Sequence, residues 1–404
     1  MCIRDRLLPL YYRLRLTSIY TYLEQRFGHF SYKTGAAFFV LSRVLGASLR
    51  MFLVINVLQL FVFDAWNVPF WVNVLIFIML IILYTLKGGI RTIVWTDTLQ
   101  TTFMLLAVVL SVIYISRALG EPVMKLAGSV WNSPMSTMFI TDWHSERFFL
   151  KQFLSGMFIT ISMTGLDQEM MQKNLSCRNL REAQKNMFTF SGITVLVNFL
   201  FLILGAFLLL FAQSRNISVA MSDDLFPTIA FNYLGPVAGI VFLIGLISAA
   251  FPSADGALTS LTTSVSIDLL GLEKKEHLSE KAKTRTRYAV HISIAAVFFI
   301  CVLIFRVLND RAIIDKLFTT AGYTYGPLLG MYTFGLFTRR SVRDRVTPVI
   351  AILSPIICYL LSTYSEVLFN GYKFGFELLL VNGFITFMGL WFFSRKPHAE
   401  AAGR

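Results

Sequence analysis

VAGIVFLIGLISAAFPSADGALTSLTTSVSIDLL, residues 237–270, is the stretch from which the fold is read. Its first half is apolar, and the whole stretch exceeds the roughly 20 residues that a helix needs to cross a bilayer. Its second half keeps helical spacing but carries small and hydroxyl side chains. Ser253, Ala257, Ser260 and Ser264 share one face, with Thr259, Thr262 and Thr263 beside them. Inside a membrane such a face has two uses. Small and hydroxyl residues let helices pack closely. Alternatively, hydroxyl and carbonyl oxygens replace the water around a hard monovalent cation. Pro252 removes a backbone donor and so frees an upstream carbonyl.

The same apolar density recurs along the chain. Of 404 residues 56% are hydrophobic and only 15% charged, against about 25% charged in a soluble domain. The apolar residues fall in ten blocks, at 34–63, 70–86, 93–115, 153–171, 187–211, 237–270, 288–307, 313–337, 346–361 and 376–393. This excludes a soluble enzyme, a disordered chain and a disulfide scaffold. Cys2, Cys177, Cys301 and Cys358 show no paired or metal spacing, and the five histidines do not cluster. No nucleophile–base pair or phosphate loop appears. The expected class is all-α and polytopic, with residues 34–394 as one transmembrane domain, 1–33 as an amphipathic cytoplasmic segment and 395–404 as a tail. MCIRDR lacks the apolar core and cleavage site of a signal peptide.

The formal charge of +13 is explained by topology rather than by nucleic acid. Alternate loops collect Lys and Arg: the N-terminal arm, then Lys87 and Arg91, the run from Lys173 to Lys185, that from Lys274 to Arg287, Arg339 to Arg345, and the C-terminal tail. The opposite loops hold far fewer. This bias puts both termini in the cytoplasm, which an even number of helices requires. The expected setting is a bacterial inner or plasma membrane, with the lipid bilayer as partner. Arg43 and Arg50 lie inside the first block, seven residues apart and on one face. Neither can lose its proton, and that block holds no acid until Asp64 beyond its end. Snorkelling toward the cytoplasmic end suits Arg43. Arg50 calls for an acidic residue on another helix or for a substrate carboxylate, which matches the fork of a guanidinium.

Three segments together resemble the sodium:solute symporter family: PLYYRLRLTSIYTYLEQRFG (9–28), YTLKGGIRTIVWTDTLQ (84–100) and SAAFPSADGALTSLTTSVSIDLL (248–270). GLDQEMMQKNL (165–175), REAQK (181–185) and YGPLLGMYTFGLF (325–337) support them. The resemblance implies an inverted-repeat (five-plus-five) transporter fold. It also implies that the first helices of that fold precede this sequence, which then reads as N-terminally truncated. The implied function is sodium-coupled import of a small organic solute, with an organic anion such as an acidic sugar as the leading cargo. A membrane sensor or other non-transporting module on the same helices, or an inactive fragment, is the alternative. An enzyme is not expected.

The resemblance also assigns residues. The carbonyl of Ala249 and the hydroxyl of Ser253 are implied sodium ligands, with Ser260 further along the hydroxyl face. Pro252 stands where the family often has a second hydroxyl. Asp97 occupies an acidic position tied to cation coupling, although an Asp near a helix start also caps it or pairs with a cation such as Arg91. Arg50 falls where sialic-acid-type members use an arginine for the substrate carboxylate. Thr160 takes a substrate-facing position, Met163 that of an inner gate, and Thr319 a position where sugar carriers use an amide. Gly165 marks a break in the 153–171 block, where a broken helix would expose backbone groups. Asp167 is expected to pair with Gln168 or Lys173.

Overall fold

The computed structural model describes residues 2–16, 18–85, 90–308 and 313–395, with the backbone alone at 90–94, 313–314 and 316. Gly88 and Gly89 of the second motif, and Lys87, Arg311, Lys396 and Arg404 of the charge pattern, lie outside the described residues. So do the side chains of Arg91 and Lys316.

Each of the ten apolar blocks holds helix. The helices are α1 (His29–Leu58), α2 (Phe70–Thr85), α3 (Ile90–Leu119), the pair α4 (Phe149–Thr160) and α5 (Gln168–Leu175), and α6 (Leu180–Ser214). Then follow α7 (Pro236–Ser264), α8 (Glu280–Leu308), α9 (Ile313–Phe337), α10 (Thr347–Thr363) and α11 (Leu378–Phe392). Among the described residues six helical stretches are long and apolar enough to cross a membrane: His29–Trp66, Trp95–Leu119, Leu180–Ser214, Pro236–Leu269, Glu280–Leu308 and Asp344–Thr363. Phe70–Thr85 and Leu378–Phe392 are shorter apolar helices. Several helices outrun their apolar blocks. Asn179 caps α6 by accepting from the Glu182 amide at 3.0 Å, eight residues before the apolar run begins, because Arg, Glu, Gln and Lys continue a helix well.

Helix α1 is the axis of the bundle and packs against α7, α8, α9 and α10. It starts at His29, ahead of the apolar block, because a distant side chain caps it. Asp344 accepts from the amides of Phe30 (2.8 Å) and Ser31 (2.7 Å), groups that a helix start leaves unpaired. Gly28 precedes this cap at φ +135°, and a Cβ there would meet the Asp344 carboxylate.

The N-terminal arm is part of the core. Leu7, Leu8, Tyr11, Ile19, Tyr20 and Leu23 are all buried in the cluster centred on α1. A second cluster joins α3 to α6 through Val108, Val112, Ile115, Leu204, Phe207 and Phe211. The outer face of α6 exposes Phe188, Val195, Leu196, Phe199 and Leu202. A contiguous apolar face of this kind suits contact with lipid.

Candidate functional site

The 153–171 block is two helices with a break between them. After Thr160 the chain widens into a π-type turn, Ile161–Gly165, and helical geometry stops at Leu166. Asp167 is extended and caps α5 by accepting from the Met170 amide at 3.2 Å. The break frees carbonyls that must find donors at this depth. The N-terminal arm supplies them. Tyr11 donates to Gly165 O and Tyr20 to Leu166 O, both at 2.9 Å. The Ile19 amide donates to Gln168 Oε1 at 2.9 Å. A Cβ on Gly165 would press into the side chains of Leu7 and Ile3, so the arm packs closely against the break.

Immediately beyond the break lies a cluster of charges. Arg43 was expected to snorkel, yet it is buried and forms ion pairs with Glu169 and, at 3.6 Å, with Asp167. The reason is its position: it faces the broken helix and not the end of the bundle, and a buried guanidinium needs an acid. Asp167 was expected to pair with Gln168 or Lys173. It instead faces Arg43 and accepts from Tyr325 of α9 at 2.6 Å. Lys173 donates to Asp97 Oδ2 at 2.8 Å and stands 3.7 Å from Glu169 Oε1. Asp97 therefore joins α3 to α5, and its Oδ1 is buried without a hydrogen-bond partner among the described residues.

Sequence reasoning passed over two members of this cluster. Asp255 is buried in α7 and accepts from Tyr84 Oη at 2.9 Å, within electrostatic reach of Asp97 and Lys173. Glu169 packs over Gly256, where a Cβ would strike its carboxylate. The signal for both was available, since a carboxylate inside an apolar block calls for a partner. His291 of α8 was also missed. Its two ring nitrogens sit 3.0 Å from Thr85 Oγ1 and Thr262 Oγ1, which ties α8 to α2 and α7.

The candidate sodium residues divide by bonding state. Ser260 is buried and its hydroxyl donates to Ala257 O at 3.1 Å. Ser264 donates to Asp268 at 2.6 Å. Ser253 is half-buried, and its hydroxyl makes no hydrogen bond to any described residue. Ala249 is exposed one turn earlier. Pro252, inside α7, cannot donate to the carbonyl four residues before it, that of Ser248. Ser248 borders a cavity of about 300 Å³ together with Tyr84, Gln100 and Phe251.

The candidate substrate residues lie on three elements. Arg50 is half-buried on α1, near Arg43 and Asp167, and among the described residues it forms no ion pair. Thr160 is exposed at the end of α4. Its hydroxyl donates to Gly156 O at 2.8 Å, and it borders a cavity of about 470 Å³ with Met157, Thr164 and Met187. Met163 is half-buried in the π-type turn, and Thr319 is exposed on α9. The structure thus places Thr160 and Met163 at the break and Thr319 on another helix.

Comparisons with known proteins agree with this architecture. A solved sodium-coupled sialic acid symporter, in a substrate-bound outward-open state, superposes with a TM-score of 0.81 at 19% identity. The match covers 98% of this chain and 82% of that one, and it shows the fold: an all-α, inverted-repeat transporter bundle. The sodium/sialic acid symporter SiaT of Proteus mirabilis is 23% identical over 89% of this chain and 72% of its own length. The sodium-dependent multivitamin transporter of Oryctolagus cuniculus is 25% identical and the sodium/iodide cotransporter of Homo sapiens 23%, each over 82% of this chain. The chain spans about half the length of those two mammalian relatives, 52% in each case. The sequence profile of the sodium:solute symporter family matches residues 7–344. This integral membrane protein belongs to the sodium:solute symporter family, whose members are transporters rather than enzymes and take sodium as the co-transported ion.

Proposed function

We propose that the chain carries a small organic anion across the membrane together with sodium, entering the cytoplasm on the side of its arginine-rich loops. The observation that carries this reading is the bonding state of the candidate groups. On α7 the hydroxyls of Ser260 and Ser264 are engaged, whereas that of Ser253 bonds none of the described residues. On α1 Arg43 is ion-paired, whereas Arg50 has no ion pair among the described residues. A hydroxyl and a carbonyl offered together suit sodium, which takes oxygen ligands without requiring a full charge. A guanidinium without an internal acid suits a carboxylate.

In this reading Ala249 and Ser253 contribute the sodium oxygens from α7, and Arg50 holds the acidic group of the solute. Thr160 and Met163 border the solute path at the broken helix, and Thr319 borders it on α9. Ser260 is a packing residue, and Asp97 acts on the cation through Lys173. The names of several relatives describe acidic or anionic cargo: sialic acid, iodide and monocarboxylates. That agreement supports Arg50 as the selective group. Sodium completing its site raises solute affinity, and linkage makes the effect reciprocal.

The test is uptake into proteoliposomes holding the full chain, in sodium or choline medium, screened across sugars, acidic sugars, amino acids and monocarboxylates. Sodium-dependent uptake of an acid is expected. Equal uptake in choline would remove the symport reading. Sodium-driven uptake confined to neutral solutes would remove the role of Arg50.

A further inference from the structure

We propose that Lys173 is a tethered counter-cation: its ammonium group supplies, between Asp97 and Glu169, the positive charge that a second co-transported sodium would otherwise bring, and so lowers by one the number of ions the protein binds. The inference rests on the sodium-symport reading and concerns a residue which that reading leaves outside the sodium ligands.

The geometry is as follows. Two carboxylates from two helices flank one amino group, Asp97 on α3 and Glu169 on α5, with Asp255 of α7 nearby. Lys173 Nζ is 2.8 Å from Asp97 Oδ2 and 3.7 Å from Glu169 Oε1. Asp255 lies within electrostatic reach of Asp97 and of Lys173. Glu169 is shared, because Arg43 pairs with it from the other side. Arg43 is engaged in turn by Asp167. Lys173 is therefore the cation of the described cluster that pairs with Asp97.

Like charges in this partly buried cluster repel more than they would in water, since the Asp97 and Lys173 side chains are only 21% and 29% exposed. A positive charge between α3 and α7, or a proton on one of the acids, relieves this repulsion. A mobile ion would do this at the cost of binding one more ion per cycle. A lysine does it without binding, and its own helix fixes where the charge sits. Here that helix is α5, the half-helix that follows the break. Asp97 Oδ1 is buried beside this arrangement, without a hydrogen-bond partner among the described residues. Removing the ammonium would leave that oxygen, Asp97 Oδ2 and Glu169 Oε1 as hard oxygen atoms around a gap with excess negative charge. Such a set favours a small monovalent cation.

Radioactive sodium binding to the purified full chain, read at saturation as ions per chain, tests this without a known solute. Lys173→Gln should bind one more sodium ion per chain than the unaltered protein. Lys173→Arg keeps the charge and should match the unaltered count. Lys173→Gln combined with Asp97→Asn should return to it. A folded Lys173→Gln protein with an unchanged count would overturn the proposal, as would a raised count in Lys173→Arg. Should Lys173→Gln unfold in choline, its melting is compared in sodium. Recovery in sodium, beyond the shift that the unaltered protein shows, supports the proposal; no recovery overturns it. An unaltered protein that binds no sodium would sink the symport reading instead. The gain in Lys173→Gln would still be read against that zero.

Discussion

Replacing Glu169 by Gln removes one charge from the buried pair with Arg43 and alters almost nothing else, because the two side chains have nearly the same shape. Glu169 is 4% exposed and Arg43 is 5% exposed, so neither charge can be rescued by water in place. Breaking a buried pair from one side costs about 3–5 kcal/mol, since the other charge is left behind. Arg43 still has Asp167 at 3.6 Å, which places Glu169→Gln near the lower end, about 3 kcal/mol. Arg43→Gln strands Glu169 and Asp167 together, with only Lys173 near Glu169 at 3.7 Å, and belongs at the upper end, about 5 kcal/mol. With both changed, two amides face each other and can hydrogen-bond. The double variant should then fall short of the summed costs by about 2–3 kcal/mol, as contacting residues do. The assay is unfolding of all four proteins in mixed micelles by titration with a denaturing detergent. Additive costs, or single costs below about 1 kcal/mol, would mean that Arg43 reaches water and that the cluster is not the buried unit described here.

Three further outcomes are expected. Tyr20→Phe should cost about 1–3 kcal/mol in the same unfolding assay, because it strips the donor from a carbonyl freed at the helix break; no loss would show that another donor takes over. Ser253→Ala should raise the half-saturating sodium concentration about tenfold, equivalent to about 1.4 kcal/mol, and unchanged sodium activation would remove Ser253 from the site. Arg50→Ala should weaken binding of an acidic solute by a charged hydrogen bond, about 1.5–3 kcal/mol, measured by calorimetry; equal affinity would refute the carboxylate contact.

The one-dimensional pattern carried the bundle further than it carried the site, for a physical reason. Helix positions follow from local hydropathy, so all ten apolar blocks turned out to hold helix. The break foreseen at Gly165 comes one residue later, since the glycine still belongs to the π-type turn and Asp167 begins the new helix by capping it. Arg43 and Arg50 share a face by spacing alone. What separates them is which acids lie across the gap, and those acids are more than a hundred residues away in the chain. Arg43 meets Glu169 and Asp167, whereas Arg50, seven residues on, has no ion-pair partner among the described residues. The amphipathic arm announced an apolar face but not its cover, which proves to be the helix break itself, reached by Tyr11 and Tyr20. Asp255 shows the opposite limit. Its neighbours were read for their hydroxyls, although a carboxylate in the same apolar run was the costlier group to bury and hence the stronger signal. Cost of burial is thus a better guide to this site than ligand chemistry. Six groups that lipid would penalise, Arg43, Asp97, Asp167, Glu169, Lys173 and Asp255, are brought together by the fold where α1, α3, α5 and α7 meet.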